Sequence, residues 1–284
     1  MSKMKKNNEI DIKKIWDIEI EILNVFDKVC KDNNLKYSLA YGTLLGAIRH
    51  RGFIPWDDDI DVMMPRKDYN KLLEIWSNEV TDTYIIQNYK TDFDYTNNFS
   101  KIRKNHTAFL QSESEKMKRY HKGIFIDIFP VDRVATSKFG RMIQYIFCAI
   151  NLLYTRGYTS DSTGLIHIME KFFLLLNKKT QRNLISKTEK IIGHWNSKED
   201  NKLFSYCTIK CCKKYYPADV FEKLKLVYFG GKEYFSVENY DAVLKINYGN
   251  YMELPPKEER IWKHHPIVVD YNNNFEEIGD SYEQ

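Results

Sequence analysis

The chain has 284 residues, of which 43% are hydrophobic, 29% charged and 14% aromatic. This composition is typical of a folded globular protein and excludes disordered and collagen-like chains. The formal net charge of +4 is small and its first lysines lie in an N-terminal MSKMKK segment, so no nucleic-acid partner is predicted.

The cysteines predict a reducing compartment. Their number, five, is odd, and no signal peptide precedes Asn7, so we expect a cytoplasmic protein without a disulfide framework. Three of them lie close together in sequence, but their spacing is not that of a paired zinc motif. We therefore favour idle thiols over zinc ligands for Cys207, Cys211 and Cys212.

The first predicted elements form a helix, a strand and a second helix. Apolar residues at helical spacing predict an amphipathic helix over 10–31, and KYSLAY at 36–41 is a β-capable run. Gly42 then marks a turn, with Thr43 as the N-cap of a helix that ends before Gly52 and Pro55. The backbone N–H groups at this helix start are candidates for binding phosphate oxygens.

A carboxylate cluster follows this helix. In a strand that begins near Asp59, the side chains of Asp59 and Asp61 project from one face while Ile60 and Val62 point into a core. Two adjacent carboxylates repel each other unless a cation neutralises them, and a hard divalent ion with oxygen ligands is the usual solution. The pattern predicts a Mg²⁺ site, with Mn²⁺ as the alternative.

Basic residues near this cluster are candidates for binding phosphate. Arg49 and His50 end the predicted helix, and a strand over 98–103 places Lys101 and Arg103 on one face. The alternative for the strand pair is surface charge that resists edge pairing. A helix over 65–76 separates the cluster from a strand over 84–88, and we expect Arg66 near its start to be a surface charge.

A third acid lies on an apolar strand over 123–129. Burying the carboxylate of Asp127 there costs several kcal/mol unless it is paired. We expect it to be a third ligand of the ion held by Asp59 and Asp61, rather than a structural hydrogen-bonded acid.

The chain becomes helical after residue 138. Apolar helices are predicted over 142–154 and 165–176, and each is shorter than the ~20 residues that span a bilayer. Core packing is the favoured role; a lid, partner docking or peripheral membrane contact are the others. The charged edge for membrane contact would consist of Lys138, Arg141, Lys171, Lys178 and Lys179.

The C-terminal third is predicted as short elements. Helices are expected over 181–195 and 217–226, a strand or hairpin over 229–235, a helix over 240–248 and a rigid turn at 254–256. Two histidines follow, and only one of them can face a site in an extended chain. We favour surface or structural roles for both His264 and His265; if one of them faces the site, we expect it to be His265.

Three blocks resemble the LicD family of the nucleotidyltransferase-like superfamily. Gly42–Met64 matches the family's GTLLGAxRHxGFIPWDDDIDVxM motif almost letter for letter, and GIFIDIFPVD at 123–132 and NYGNYMELPP within 229–256 resemble two further blocks. Thr43 stands where the superfamily more often has Ser, and Asn250 stands where the family more usually has Asp. No resemblance is evident between 135 and about 215.

The resemblance implies an α+β, nucleotidyltransferase-like fold, a mixed sheet flanked by helices with an added helical region. We expect a catalytic core over 1–134, a helical insertion or lid over 135–214 and a C-terminal block over 215–284 that packs on the core. The implied metal ligands are Asp59, Asp61 and Asp127, with Asp127 or Asp58 as the base. The implied substrate-binding residues are Gly42, Thr43, Arg49, His50, Lys101, Arg103 and His265.

The implied activity is a Mg²⁺-dependent transfer of a phosphoryl-alcohol group to a glycan hydroxyl. CDP-choline is the favoured donor over CDP-glycerol and CDP-ribitol, and a lipid-linked acceptor would bring the protein to the inner face of the membrane. The residues alone indicate only metal-assisted chemistry on a polyphosphate. A nucleotidyltransferase that releases pyrophosphate, and a non-catalytic glycan or nucleotide binder, remain the alternatives.

Overall fold

The computed structural model describes residues 10–79, 82–92, 94–156, 165–198, 201–262, 264 and 266–276. Within these ranges the helices are α1 (Ile12–Asp32), α2 (Tyr41–His50), α3 (Arg66–Glu79), α4 (Glu113–Lys116), α5 (Lys138–Arg156), α6 (Leu165–Leu175), α7 (Lys178–Ile192) and α8 (Tyr240–Tyr248). The strands are β1 (Ser38–Leu39), β2 (Asp61–Pro65), β3 (Tyr84–Gln87), β4 (Ser100–Lys104), β5 (Ala108–Leu110), β6 (Phe125–Arg133), β7 (Leu203–Phe204), β8 (Leu224–Phe229), β9 (Lys232–Val237) and β10 (Val268–Asp270).

The main sheet of the described chain is mixed. Its strand order is β1-β2-β6-β4-β3, and β7 pairs with the far end of β6. The central pair β2 and β6 is parallel, while every other pair in this sheet is antiparallel. With helices around it, this sheet confirms the predicted α+β class.

The buried face of α1 follows its helical period. Ile15, Ile22 and Phe26 are fully buried in the main core, together with residues of β2, β6 and α3. Burying a side chain of this size contributes roughly 1.5–3 kcal/mol, so the apolar stripe holds α1 against the sheet. The predicted packing role of this helix is confirmed, although its buried face also contains an acid, Glu19.

Two glycines of α2 allow neighbouring groups to approach closely. A Cβ on Gly46 would lie 2.4 Å from the backbone oxygen of Gly52, and a Cβ on Gly42 would lie 2.2 Å from the Asp57 carboxylate. The predicted N-cap at Thr43 is wrong, because Leu44 N–H already donates to Ala40 O and the helix begins at Tyr41. Gly42 is needed for the close approach of Asp57, within the first helical turn.

The helices α5 and α7 pack on each other over a small second core. This core contains Val134, Cys148, Ile192, Phe204, Tyr206 and Cys212. An ionic network ties it to the sheet, because the Arg66 guanidinium pairs with both oxygens of Asp132 at 2.9 and 2.7 Å and with Glu189 of α7 at 2.8 Å. The expected surface position of Arg66 is therefore wrong; sequence shows the charge, but not a partner 66 residues away.

The C-terminal block contributes a hairpin, α8 and β10, which pairs with β5 in a separate two-stranded sheet. The hairpin β8–β9 turns at Gly230 and Gly231, whose φ angles of +54° and +99° favour glycine. The helix predicted over 217–226 is wrong, since residues 224–226 belong to β8 and pair with β9. The predictions of α8 and of the hairpin are confirmed.

Among the described helices, none combines the length and the apolar character needed to cross a bilayer.

Candidate active site

Three carboxylates meet where β2 and β6 begin to run side by side. The parallel register pairs Asp61 with Asp127, and Asp59 lies two residues before β2. One carboxylate oxygen from each of the three lies within 4.8 Å of the others, and all three side chains are buried. The strand pairing therefore brings together acids that are 66 residues apart in sequence.

This donor set fits a hard divalent cation. Carboxylate oxygens are the ligands that Mg²⁺ and Mn²⁺ prefer, and three buried acids in so small a volume repel one another without a counter-charge. The identity of the ion stays a prediction.

The start of α2 supports the cluster from behind. Thr43, which is buried, accepts a hydrogen bond from the Asp61 backbone N–H at 2.8 Å through its hydroxyl oxygen. The space beside Gly42 is occupied by the carboxylate of Asp57. The predicted contact of Gly42 and Thr43 with a phosphate stays a prediction; the contacts present fix Asp61 and Asp57.

Lys101 is a direct partner of the cluster. It is opposite Asp127 in the antiparallel register of β4 and β6, and its Nζ lies 2.6 Å from Asp127 Oδ1. Burial lowers the pKa of Lys101, while the charge of Asp127 opposes this shift. A buried ammonium thus balances one of the three acids.

Arg103 shares this strand face but serves the protein's own backbone and side chains. Its guanidinium donates to Gly123 O at 2.5 Å and to Gln87 Oε1 at 2.6 Å, and it lies over the ring of Phe125. The predicted common face of Lys101 and Arg103 is present, yet the contacts of Arg103 are those of a buried structural cation.

Arg49 and His50 are the last two residues of α2. Arg49 donates to the carbonyl oxygens of Tyr251 and Glu253 at 2.8 and 3.1 Å, and so ties α2 to the C-terminal block. His50 packs edge-on against Trp56, and burial lowers its pKa. Their role in substrate binding stays a prediction.

Asp58 and His264 form a pair beside the cluster. Asp58 is buried, and its two oxygens contact the backbone N–H of His264 at 3.2 Å and His264 Nδ1 at 3.0 Å. Since a carboxylate accepts, Nδ1 donates, and the other ring nitrogen lies 3.8 Å from Asp59 Oδ2. Burial acts to lower the pKa of His264, but Asp58 and Asp59 outweigh it and raise the pKa.

The histidine beside the acids is thus His264, whereas His265 lies outside the described residues. Sequence reasoning could not choose between two adjacent histidines without the backbone course of the C-terminal block.

Sequence reasoning also missed Glu19 and Tyr248. Glu19 on α1 is 2% exposed, one of its oxygens has no hydrogen-bond partner among the described residues, and burial together with the charges of Asp59 and Asp58 raises its pKa. The sequence could have indicated Glu19, because it is a single acid within the apolar stripe of α1. Tyr248 on α8 is 41% exposed, and partial burial together with the charges of Asp61 and Asp57 raises its pKa.

The chain is similar in sequence to known proteins of one family. Residues 34–148 match the family described as LicD/FKTN/FKRP, nucleotidyltransferase domain. The lipopolysaccharide cholinephosphotransferase LicD of Haemophilus influenzae is 31% identical over 270 residues, which cover 89% of this chain and 94% of the relative.

Two shorter matches are uncharacterized proteins of Rickettsia. The protein from Rickettsia prowazekii is 31% identical over 110 residues, 32% of this chain and 41% of its own length. The protein from Rickettsia typhi is 30% identical over 116 residues, 32% of this chain and 35% of its own length.

Proposed function

The chain belongs to the LicD family, and we propose that it transfers phosphocholine from CDP-choline to a hydroxyl group of a lipopolysaccharide-type glycan. The observation that carries this proposal is the match to a named cholinephosphotransferase along 89% of the chain, which includes all three clustered acids. The lipid-linked nature of such an acceptor implies work at the inner face of a membrane.

The metal in this proposal is Mg²⁺, with Mn²⁺ as the alternative, held by Asp59, Asp61 and Asp127. When bound, it would offset the negative charge of the donor's diphosphate and polarise the phosphorus under attack.

The protein's own side chains hold the acids in place. Thr43 fixes the backbone at Asp61, and Lys101 fixes one oxygen of Asp127, so two of the three carboxylates have restricted positions. Preorganised charges of this kind do not have to reorient during the reaction, which is the usual source of electrostatic catalysis.

In the proposed reaction the acceptor hydroxyl attacks the phosphorus that bears choline. The bond from that phosphorus to the bridging oxygen breaks, and CMP leaves. Both oxygens of Asp58 are hydrogen-bonded to His264, whereas Lys101 contacts only Oδ1 of Asp127, so we propose that the other oxygen of Asp127 accepts the hydroxyl proton. Among the predicted basic residues, Lys101 contacts Asp127 directly, whereas Arg49 donates to the carbonyl oxygens of Tyr251 and Glu253, and Arg103 donates to Gly123 and Gln87.

The test is the leaving group. The protein is incubated with CDP-choline, CDP-glycerol, CDP-ribitol, CTP or ATP, each with a lipopolysaccharide acceptor and Mg²⁺, and products are identified by mass. We expect CMP from CDP-choline, loss of CMP on chelation of the metal, and an acceptor heavier by one phosphocholine.

Controls separate this result from the alternatives. Asp127→Asn should abolish CMP release, whereas the exposed Asp17→Asn should release CMP at the wild-type rate. Pyrophosphate from CTP or ATP, without CMP from any CDP-alcohol, would instead identify a nucleotidyltransferase. No product from any donor would favour a binding protein.

A further inference from the structure

Two helices outside the active site expose large apolar side chains on one face each. On α5 these are Phe139, Met142 and Ile146, spaced three and four residues apart; on α6 they are Ile168, Phe172 and Leu175, spaced four and three apart. Phe139 is 67% exposed, Phe172 65% and Leu175 83%. We name these six residues the α5–α6 apolar surface.

The opposite face of α5 is polar and buried. Gln144 donates to the carbonyl oxygens of Arg133 and Ile192, and Asn151 donates to the hydroxyl of Thr188 on α7. A helix at a water-exposed surface normally buries its apolar side chains and exposes its polar ones. On α5 the arrangement is partly the reverse: polar side chains are buried and large apolar ones are exposed. Packing of the protein's own core therefore does not explain the apolar face.

On α6 two adjacent phenylalanines have opposite surroundings. Phe173 is 2% exposed and stacks on Tyr154 of α5, with ring centroids 4.2 Å apart, whereas Phe172 points outward. The inward face of α6 already has its partner within the fold. The outward face therefore remains to be covered by something else.

The charge of this region indicates what covers it. Residues 138–192 contain nine Lys and Arg and three Asp and Glu, a net charge of +6, so the rest of the chain sums to −2. The α5 segment contains no acid at all, and exposed lysines stand at the start of α5 (Lys138), on α6 (Lys171) and in the first turn of α7, the helix that follows (Lys179). Apolar residues bordered by lysines complement a surface that is apolar inside and anionic outside.

We infer that the α5–α6 apolar surface docks the protein onto an anionic lipid membrane, with the six apolar side chains in the acyl boundary and the lysines at the headgroups. The helices lie in the interface and do not cross the bilayer, in keeping with the absence of a spanning helix among the described residues. The inference deepens the proposed function. Docking itself does not depend on that function; only its role does, which is to bring the site to a lipid-linked acceptor.

The test is flotation with vesicles of phosphatidylcholine, with or without phosphatidylglycerol. We expect wild-type protein to float with the anionic vesicles at low salt and to float less at high salt. The triple variant Phe139→Ser, Phe172→Ser, Leu175→Ser should bind at least about tenfold more weakly, since each residue loses apolar area that the membrane would bury. Replacing Lys138, Lys171 and Lys179 by Gln should remove the preference for anionic lipid.

A matched control removes apolar side chains that are exposed elsewhere. Met117→Ser with Leu226→Ser should float like wild type, and thermal melts should show that all variants fold. Equal binding by the triple variant and wild type would overturn the inference. So would a wild-type dimer that the triple variant converts to monomer without any vesicle binding, because the surface would then cover a second copy of the chain.

The outcome for docking is independent of the outcome for chemistry. CMP release from CDP-choline with a detergent-dispersed acceptor should be the same for wild type and the triple variant. If wild type floats but releases no CMP, the proposed function fails while docking stands; if it releases CMP but never floats, docking fails while the function stands.

Discussion

Asp59 and Asp61 belong to one carboxylate cluster, but different parts of the protein contact them. The backbone N–H of Asp61 is fixed by Thr43, while Asp59 precedes β2 and lies 3.8 Å from a ring nitrogen of His264. Neutralising either acid removes one of three buried like charges, which relieves repulsion in the absence of a cation.

We therefore expect Asp59→Asn and Asp61→Asn to lower CMP release by roughly a hundredfold or more, since charge neutralisation by a cation is worth several kcal/mol. Both variants should melt at or above the wild-type temperature without Mg²⁺, and should lose the upward shift that Mg²⁺ gives to wild type. Near-wild-type turnover in either variant would remove these acids from the site.

Cys211 differs from the other cysteines in its surroundings. Its sulfur receives the thiol of Cys207 at 3.4 Å and the hydroxyl of Thr208 at 3.1 Å. The Cys207 contact lowers the pKa of Cys211 to about 6, although burial opposes it, whereas the pKa of Cys207 is raised. We therefore expect Cys211 to be more reactive than the idle thiols that the sequence analysis predicted.

The thiolate is the reactive form, and a lowered pKa extends the thiolate to lower pH. The rate at which one thiol reacts with iodoacetamide should therefore fall as the pH drops through a midpoint near 6, and should be constant at higher pH. An ordinary cysteine has this midpoint at a pH of about 8.5. Cys211→Ser should remove this phase and Cys207→Ala should move its midpoint upward. A midpoint near 8.5 in wild-type protein would contradict the prediction.

At the scale of single residues, sequence was informative where one local pattern determined the position. Asp59 and Asp61 alternate with apolar residues, so their common face followed from a period of two, and Asp127 was identified as the single acid in an apolar strand. The partners of Arg66, Arg103 and Asp58 lie on distant segments, and no local pattern identifies them. The recognition of the family supplied what the pattern could not: the proposed donor and acceptor.

The helix α7 is joined to the sheet by charge as well as by packing. The Arg66 side chain at the start of α3 is buried between Asp132 of β6 and Glu189 of α7, and Tyr206 adds a hydroxyl at 3.0 Å. Asp132 is fully buried and also receives the amide of Asn196. Removing the guanidinium would leave a buried carboxylate without its main partner.

Arg66→Met should therefore destabilise the protein by about 3–5 kcal/mol, the usual cost of removing one member of a buried ion pair. The adjacent, exposed Lys67→Met is the matched control and should change the free energy of unfolding by less than about 0.5 kcal/mol. Urea unfolding monitored by circular dichroism measures both. Equal midpoints for the two variants would show that the network contributes little.

At the scale of elements, long periodic segments were predicted well and short ones were not. Helices α1, α3, α5, α6 and α8 lie within a few residues of their predicted bounds, because an apolar stripe specifies a helix over several turns. Proline at 217 suggested a helix start, but the last residues of that predicted helix, 224–226, pair with β9 across the hairpin. Strands β5, β7 and β10 are two or three residues long, too short for a period of two to be visible.

The whole molecule is organised around one main core that the predicted boundaries cut. This core joins residues of α1, β2 and β6 to residues of the C-terminal block, among them Phe229, Tyr234, Val243 and Leu244, all fully buried. Hydrogen bonds cross the same boundary: Ser38 accepts from the backbone of Val237, and Tyr37 accepts from that of Phe235. The predicted division at residues 134 and 214 stays a prediction. The segments on either side of it share the main hydrophobic core.

A fragment of residues 1–134 should therefore fail to fold cooperatively, although it contains all three clustered acids and most of the segment that matches the family. Without the C-terminal residues it exposes the apolar surface that Phe229 and Tyr234 cover, at about 25 cal/mol for each Å² left uncovered. We expect broad thermal melting and strong binding of a hydrophobic dye. Coexpression with residues 201–276, which supply β7 to β10 and α8, should restore a sharp transition. A cooperative melt of 1–134 alone would show that the sheet and α1 form a sufficient core, and that the C-terminal block serves the site rather than the fold.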